Sequence, residues 1–418
     1  METEIDQLIA RRIIDSVGSS GIPPEYGFQY FTVGLDELTE VIDRDYFQQL
    51  IKAGGSSFKL IVGAFGTGKT HLLYILRELA WKNNFATSYV VLKPEETPFH
   101  KLDLVYREIA NNLQPPLSPI EAMSGTEKGI ENFITRWFNT QFDGNKTILG
   151  TADDREIKEV LEHYANNNIK GYESSSFTYA VRNAFKALLE NNTETFEIIL
   201  PWLKGESYSK EHKNYGILQK LDQTTAFPRL RSLGQWIRSI GFSGLVILFD
   251  EAEVVASFRS RQMELLLNNL RQLIDTCQST SFQGFMIFYA VPSEDFMQQR
   301  GEVYNALRQR LATYFSTINP SGVKINLETL FGENEAEIKD HCKQIGLKLS
   351  KIYTRAYNCE FDDRKLDHAL DVVIDKVFTD SFFEPGFKRR LVQRFVSMFH
   401  FMRNDPSKEI TEDIMNEI

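Results

Sequence analysis

Three closely spaced glycines followed by a lysine and a hydroxyl residue form the arrangement in this chain best suited to holding phosphate. Gly63-Ala64-Phe65-Gly66-Thr67-Gly68-Lys69-Thr70 fits the pattern G-x-x-x-x-G-K-[ST] at every defined position. In such a loop the backbone N–H groups converge on phosphate oxygens, the lysine reaches the β- and γ-phosphates, and the threonine hydroxyl can ligate Mg²⁺. Gly63 to Thr70, with His71 behind them, are therefore the expected nucleotide-binding set. A second reactive pair, Asp250-Glu251, ends the apolar run Leu245–Phe249. An aspartate there can hold Mg²⁺ through water, and the glutamate beside it can orient or deprotonate an attacking water. Taken alone, the pair could equally be an acidic helix cap. Together with the glycine loop it points to ATP and Mg²⁺ as cofactors, with Thr70 and Asp250 as metal ligands and Lys69, Asp250 and Glu251 as catalytic residues.

Two sets of arginines extend the list. Arg308 and Arg310 lie one helix past the strand 284–290, where ring-forming ATPases project an arginine into a neighbour's nucleotide; Arg310 is the preferred candidate. The alternative is an ordinary surface pair. Pro385-Gly386-Phe387-Lys388-Arg389-Arg390 opens the last long helix. Cations at a helix start oppose the helix dipole and need a partner. A bound phosphate would make Arg389 or Arg390 a sensor arginine; a nearby carboxylate is the other choice.

The elements that must position these groups read as α/β. Segments 58–62, 85–93, 244–250, 284–290 and 323–327 have the apolar, β-branched and aromatic character of buried strands. Helices are expected over 35–52, 71–82 and 262–278. The fold expected is a P-loop, AAA+-like parallel sheet with a long helical insertion and a helical C-terminal lid. Residues 1–55 are expected to form a helical lead-in broken at Gly21-Ile22-Pro23-Pro24, with a segment in which Phe31 and Val33 contact the nucleotide base or, alternatively, serve as a small hydrophobic anchor of the N-terminal helix. Residues 56–97 and 241–327 form the core, 98–240 the insertion and 328–418 the lid. Polar stretches 139–154 and 191–195 read as loops, as does the proline-rich turn ending at Pro119. A polar γ-phosphate sensor is expected after Tyr289, but Ala290 and Val291 stand there and Ser293 is only nearby.

Composition narrows the function classes. The 418 residues are 42% hydrophobic and 25% charged, as in ordinary globular proteins. No apolar run approaches the ~20 residues of a membrane helix, and the acidic amphipathic start lacks the plan of a signal peptide. Cys277, Cys342 and Cys359 are too scattered for a disulfide framework or metal spacing, which points to a reducing cytoplasm. A net charge of −10 argues against a surface wholly dedicated to nucleic acid. Local basic groups remain at Arg229, Arg231 and Arg238, at Arg259 and Arg261, and at Lys388, Arg389, Arg390 and Arg394.

Several of these segments, in order, resemble one family. Ala10-Arg11-Arg12-Ile13-Ile14, the 21–24 break and Phe31-Thr32-Val33-Gly34 precede the glycine loop. Asp250-Glu251-Ala252-Glu253, Arg261 and Asn269-Leu270-Arg271-Gln272-Leu273-Ile274-Asp275 follow it. The chain resembles the ATP-binding proteins of BREX phage-defence loci, of BrxD type, and more broadly AAA+ ATPases of the origin-recognition and helicase-loader kind and STAND ATPases. The resemblance implies ATP binding and hydrolysis and work within a DNA-directed complex beside a helicase or nuclease, with DNA contact direct or through that partner, and self-association also open. It also exposes two departures, the missing polar sensor and Gly386 where an arginine is expected beside the proline. These leave open a nucleotide-gated scaffold that hydrolyses slowly, and a DNA-binding initiator using the basic C-terminal helix.

Overall fold

Interior parallel strands are buried on both faces, and four of the predicted strands meet that requirement closely. In the computed structural model β1 is Ser57–Val62, β2 Ala86–Val91, β4 Leu245–Asp250 and β5 Phe285–Val291, with β4 and β5 buried throughout. β6 is the short Lys324–Asn326. A two-residue strand that periodicity does not reveal, β3 (Leu113–Gln114), pairs antiparallel with β2 at one edge. The structure describes all residues except 1–4, 23, 119–120, 123–124, 126, 151–153, 253–259, 280–281, 295–301, 331–333, 382–383, 385 and 418. Pro23, Pro119, Glu253, Arg259 and Pro385 therefore lie outside the described residues. Among those described, the six strands run β3-β2-β4-β5-β1-β6, parallel except for β3.

Strand parity divides the core into two layers. Val246, Leu248, Phe288 and Ala290 pack against Leu72, Leu73 and Leu76 of α3 (Lys69–Lys82). Leu245, Ile247, Phe249 and Ile287 face the other way. They share one buried cluster with α4 (Leu102–Asn111), α5 (Ile130–Leu149), α6 (Asp154–Asn168), α7 (Ser175–Glu190), α8 (Thr193–Lys204) and α9 (Ala226–Ser239). Residues 98–240 thus share the core on this face of the sheet, where Leu102, Val105, Ile109, Phe227 and Leu230 line one small apolar cavity with Ile247 and Phe249 of β4.

The expected loop over 139–154 is corrected: α5 continues to Leu149, and Asp154 already begins α6. Polar residues there do not break the helix because they serve it. Thr140, Asn145 and Thr147 donate to the carbonyls of Arg136, Gln141 and Asp143, four residues back, at 2.9, 2.7 and 2.9 Å. Phe138 and Phe142 hold the far side against the core. At 191–195 the loop is two residues long. Asn191 caps α7 in the left-handed region, and the Asn192 side chain caps α8 by accepting from Thr195 N–H at 3.0 Å.

The helix expected over 35–52 is two elements, α2 (Asp36–Val41) and a π-helix over Ile42–Ile51. Ile42, Tyr46, Phe47 and Ile51 are buried at spacings of four, five and nine, which a wider turn aligns better than 3.6 residues. Tyr46 is fixed there by Lys59 on β1, whose ammonium donates to the Tyr46 hydroxyl at 2.6 Å and to the carbonyls of Pro320 and Gly322 at 2.8 and 2.6 Å.

The C-terminal helices α12 (Glu335–Tyr357), α13 (Asp363–Ser381), α14 (Phe387–Asn404) and α15 (Glu412–Glu417) form a separate bundle. They follow α10 (Ser260–Gln278) and α11 (Glu302–Arg310) of the sheet layer. The amphipathic first helix, α1 (Gln7–Ser20), belongs to this bundle: Ala10, Ile13, Ile14 and Val17 are buried with Leu349, Leu370, Phe395 and Phe399. The two ends of the chain share one core.

Candidate nucleotide site

A cleft enclosing roughly 1160 Å³, part of it open to solvent, lies between the carboxyl edge of the sheet and the bundle. Open α/β sheets bind ligands at this edge. β1 ends at Val62, residues 63–68 turn, and α3 starts at Lys69 behind Gly68 (φ +105°). Gly66 is also left-handed (φ +82°), so the turn needs glycine at both places. The Lys69 ammonium donates to the Gly63 and Ala64 carbonyls at 2.6 and 2.9 Å, which pulls the loop into a tight ring.

The strand order puts β5 between β1 and β4, yet the two carboxyl ends still meet. Thr70 donates its hydroxyl to Asp250 Oδ2 at 2.7 Å, and Tyr89 on β2 donates to the same oxygen at 2.5 Å. Asp250 Oδ1 accepts the Glu251 N–H at 2.8 Å. Asp250 is 2% exposed, whereas Glu251 is exposed and sits at φ +53°, rare for a residue with a side chain. Both line the cleft. Burial, then the Asp250 charge, hold the Tyr89 phenol well above its usual range, so it is a donor at neutral pH.

His71 is half-buried against Phe28 and Phe31 and lines the cleft, and its Nε2 lies 2.8 Å from the Thr32 hydroxyl. Burial pushes its pKa down to about 4, with the Lys388 charge acting in the same direction, so the ring is neutral and packs as a spacer. Phe31 and Val33 form an apolar end of the cleft with Val17, Leu35, Ile345 and Val392. Lys348 on α12 donates to the Thr32 carbonyl at 2.6 Å, tying this segment to the bundle.

The bundle also touches the loop. Gly386 N–H donates to the Phe65 carbonyl at 2.9 Å, and a Cβ on Gly66 would stand 2.6 Å from Gly386 Cα. The left-handed backbone at 386 (φ +87°) explains the departure there, because it favours glycine, although a Cβ at 386 would meet nothing closer than Arg390 at 3.8 Å. The three basic residues then diverge. Lys388 lines the cleft and donates to the Thr67 carbonyl at 3.2 Å; burial pushes its ammonium down to about 7. Arg389 also lines it, its guanidinium 4.2 Å above the Phe65 ring. Arg390 instead pairs with Glu384 at 3.1 Å, outside the cleft lining. Of the two arginines expected to meet phosphate, the structure brings Arg389 to the cleft and gives Arg390 a carboxylate.

Arg310 is held by Asp275 on α10, with Nη2 3.0 Å from Oδ2, and by the Ala306 carbonyl at 2.9 Å. Arg308 turns to Asn305. Neither lines the cleft, and Pro292 rather than Ser293 does. The basic group at 229–238 is structural. Arg229 is buried on the Trp202 ring, Arg231 pairs with Glu173 at 2.5 Å, and Arg238 donates to the Ile51 and Ser243 carbonyls.

Sequence reasoning did not assign Lys388, Thr32 or Tyr89 to the site. Strand parity carried a signal for Tyr89, since Val91 pairs with Asp250 and Tyr89 shares its face. Lys388 and Thr32 reach the cleft through long-range packing that local pattern does not encode.

The fold and cleft define a mixed α/β protein with a six-stranded, mostly parallel sheet, consistent with a P-loop-like fold. The chain belongs to the family of BREX system ATP-binding proteins BrxC/D, whose family model matches residues 5–417. That membership gives it an ATP-binding role in phage defence. No curated protein matches the chain. Among the described residues, no helix is long and apolar enough to cross a membrane.

Proposed function

We propose that the cleft binds ATP with Mg²⁺ in an AAA+-like core, hydrolyses it, and uses the bundle to pass the nucleotide state to a DNA-directed defence complex. The observation that carries this reading is the 2.7 Å contact of Thr70 with Asp250 across 180 residues of sequence. Two hard oxygen ligands side by side, one from the glycine loop and one from a strand end, suit Mg²⁺, which takes few protein ligands and completes its shell with phosphate and water. When bound, the cation would neutralise charge developing on the phosphates. Backbone N–H groups of 66–70 and the Lys69 ammonium would hold the phosphate chain, and Phe31 and Val33 would pack on the base. Lys388 and Arg389 would approach the phosphates from the bundle. Glu251 would take or orient the proton of the attacking water. Arg310 would act in trans only after leaving Asp275.

Lys69→Ala is expected to abolish binding of a fluorescent ATP analogue, and an unchanged Kd would overturn the assignment. Glu251→Gln should still bind ATP but turn over roughly 100- to 10,000-fold more slowly; an unaltered steady-state rate would contradict its role.

One observation favours a slow switch as the second reading. The strand end where a polar sensor is expected carries the buried Ala290 and Val291, and Ser293 does not line the cleft. Tight ATP binding without turnover, even with DNA and a partner helicase or nuclease, would select it. The DNA-initiator reading loses its basis in the basic helix start. Lys388 and Arg389 face the cleft, Arg390 is paired, and Arg394 donates to the Met415 carbonyl.

A further inference from the structure

We propose that Tyr89 is a positioning residue for the divalent cation, acting through the hydrogen bond it donates to Asp250. The inference rests on the reading of the cleft as a metal–nucleotide site. Asp250 Oδ2 receives two hydroxyl donors, Thr70 at 2.7 Å and Tyr89 at 2.5 Å, while Oδ1 receives the Glu251 N–H at 2.8 Å. Turning the carboxylate about its own axis would break all three. Tyr89 is itself fixed, because its ring packs on Tyr74 of α3 with centroids 5.2 Å apart. β2 pairs in register with β4, so the phenol projects from the strand beside the aspartate rather than from a mobile loop.

The arrangement has a chemical consequence. Thr70 must offer a lone pair to a cation, and its proton then needs an acceptor; Asp250 Oδ2 provides one. Tyr89 keeps that oxygen aimed at Thr70 whether or not the cation is present. The ligand pair is therefore oriented before binding. Partners that orient metal ligands from behind typically change metal affinity about 10- to 100-fold when removed.

Tyr89→Phe keeps the ring and its packing on Tyr74 and deletes only the donor. In the full chain, the Mg²⁺ concentration that half-saturates the binding of a fluorescent ATP analogue is expected to rise about tenfold or more. Mn²⁺ affinity, read by electron paramagnetic resonance with a non-hydrolysable ATP analogue, should weaken in parallel. Nucleotide affinity in EDTA should match the wild type, which a general loss of structure would not allow. A metal-dependent wild type beside an unshifted Tyr89→Phe variant would overturn this inference alone. A wild type indifferent to both cations would overturn the reading of the cleft and this inference with it. In an Asp250→Asn background Tyr89→Phe should add no further shift; a full additional shift would show that the tyrosine does not act through the aspartate.

Discussion

Lys388 carries the sharpest residue-scale consequence. The half-buried Lys388 ammonium at the loop is pushed down to about 7 by desolvation, so near neutral pH it sits between charged and neutral forms. A polyphosphate beside it would favour the charged form. ATP affinity is therefore expected to fall as pH rises from about 7 to 9, and Lys388→Met should flatten that dependence. Titrating a fluorescent ATP analogue at several pH values checks it; parallel curves for the two proteins would refute the role. Arg390→Ala, which removes a pair with the exposed Glu384 away from the cleft lining, should leave affinity within about twofold, since exposed ion pairs contribute little.

At the scale of elements, the join between loop and bundle is a contact of two glycines. Gly66→Ala adds both a disfavoured left-handed residue and a Cβ 2.6 Å from the Gly386 backbone. Gly386→Ala adds the backbone strain, but its Cβ meets nothing closer than Arg390 at 3.8 Å. Gly66→Ala should thus weaken nucleotide binding much more than Gly386→Ala, and equal effects measured by calorimetry would deny the close approach. The π-helix has its own test through Lys59. Burial pushes the Lys59 ammonium down to about 7, below its value of about 10.5 in the unfolded chain. The unfolded state then binds more protons between those values, so this group makes stability rise with pH across roughly 7 to 10. Below about 7 both states are charged and its contribution is constant. Lys59→Met should remove this slope from the melting temperature measured against pH.

Across the whole molecule, the first helix and the last ones form one core, so the bundle is completed only by the N-terminal residues. Ile13 and Ile14 are 0% and 1% exposed within it. Replacing Ile13 by alanine is expected to cost about 2–5 kcal/mol, read by chemical denaturation. A cost under about 0.5 kcal/mol would mean that α1 is only loosely docked. Thr32 is tied to α12 and Gly386 to the loop, so the cleft is lined from both cores. Self-association is tested by native mass with and without ATP. If Arg310 works in a neighbour's site, specific activity should climb with protein concentration and be lost in Arg310→Ala.

The glycine loop and its flanking strand and helix were legible because each is a local pattern: hydrophobic runs of strand length, glycines where backbone must be left-handed, and a lysine and threonine at fixed offsets. The same holds for Leu245–Asp250. Locality also explains the misreadings. The polar 139–149 stretch looked like a loop because its side chains satisfy their own helix, and the turn width of 42–51 depends on what Tyr46 meets across the fold. Sequence alone pointed to residues whose types and spacing suit phosphate and metal, and it located the strands that carry them. Only the tertiary structure decided that Thr70, Asp250 and Tyr89 converge, that Lys388 and Arg389 rather than Arg390 face the cleft, and that α1 closes the C-terminal bundle. The reason is physical. Those pairings join residues tens to hundreds of positions apart, and they follow from strand order and core packing rather than from any local preference.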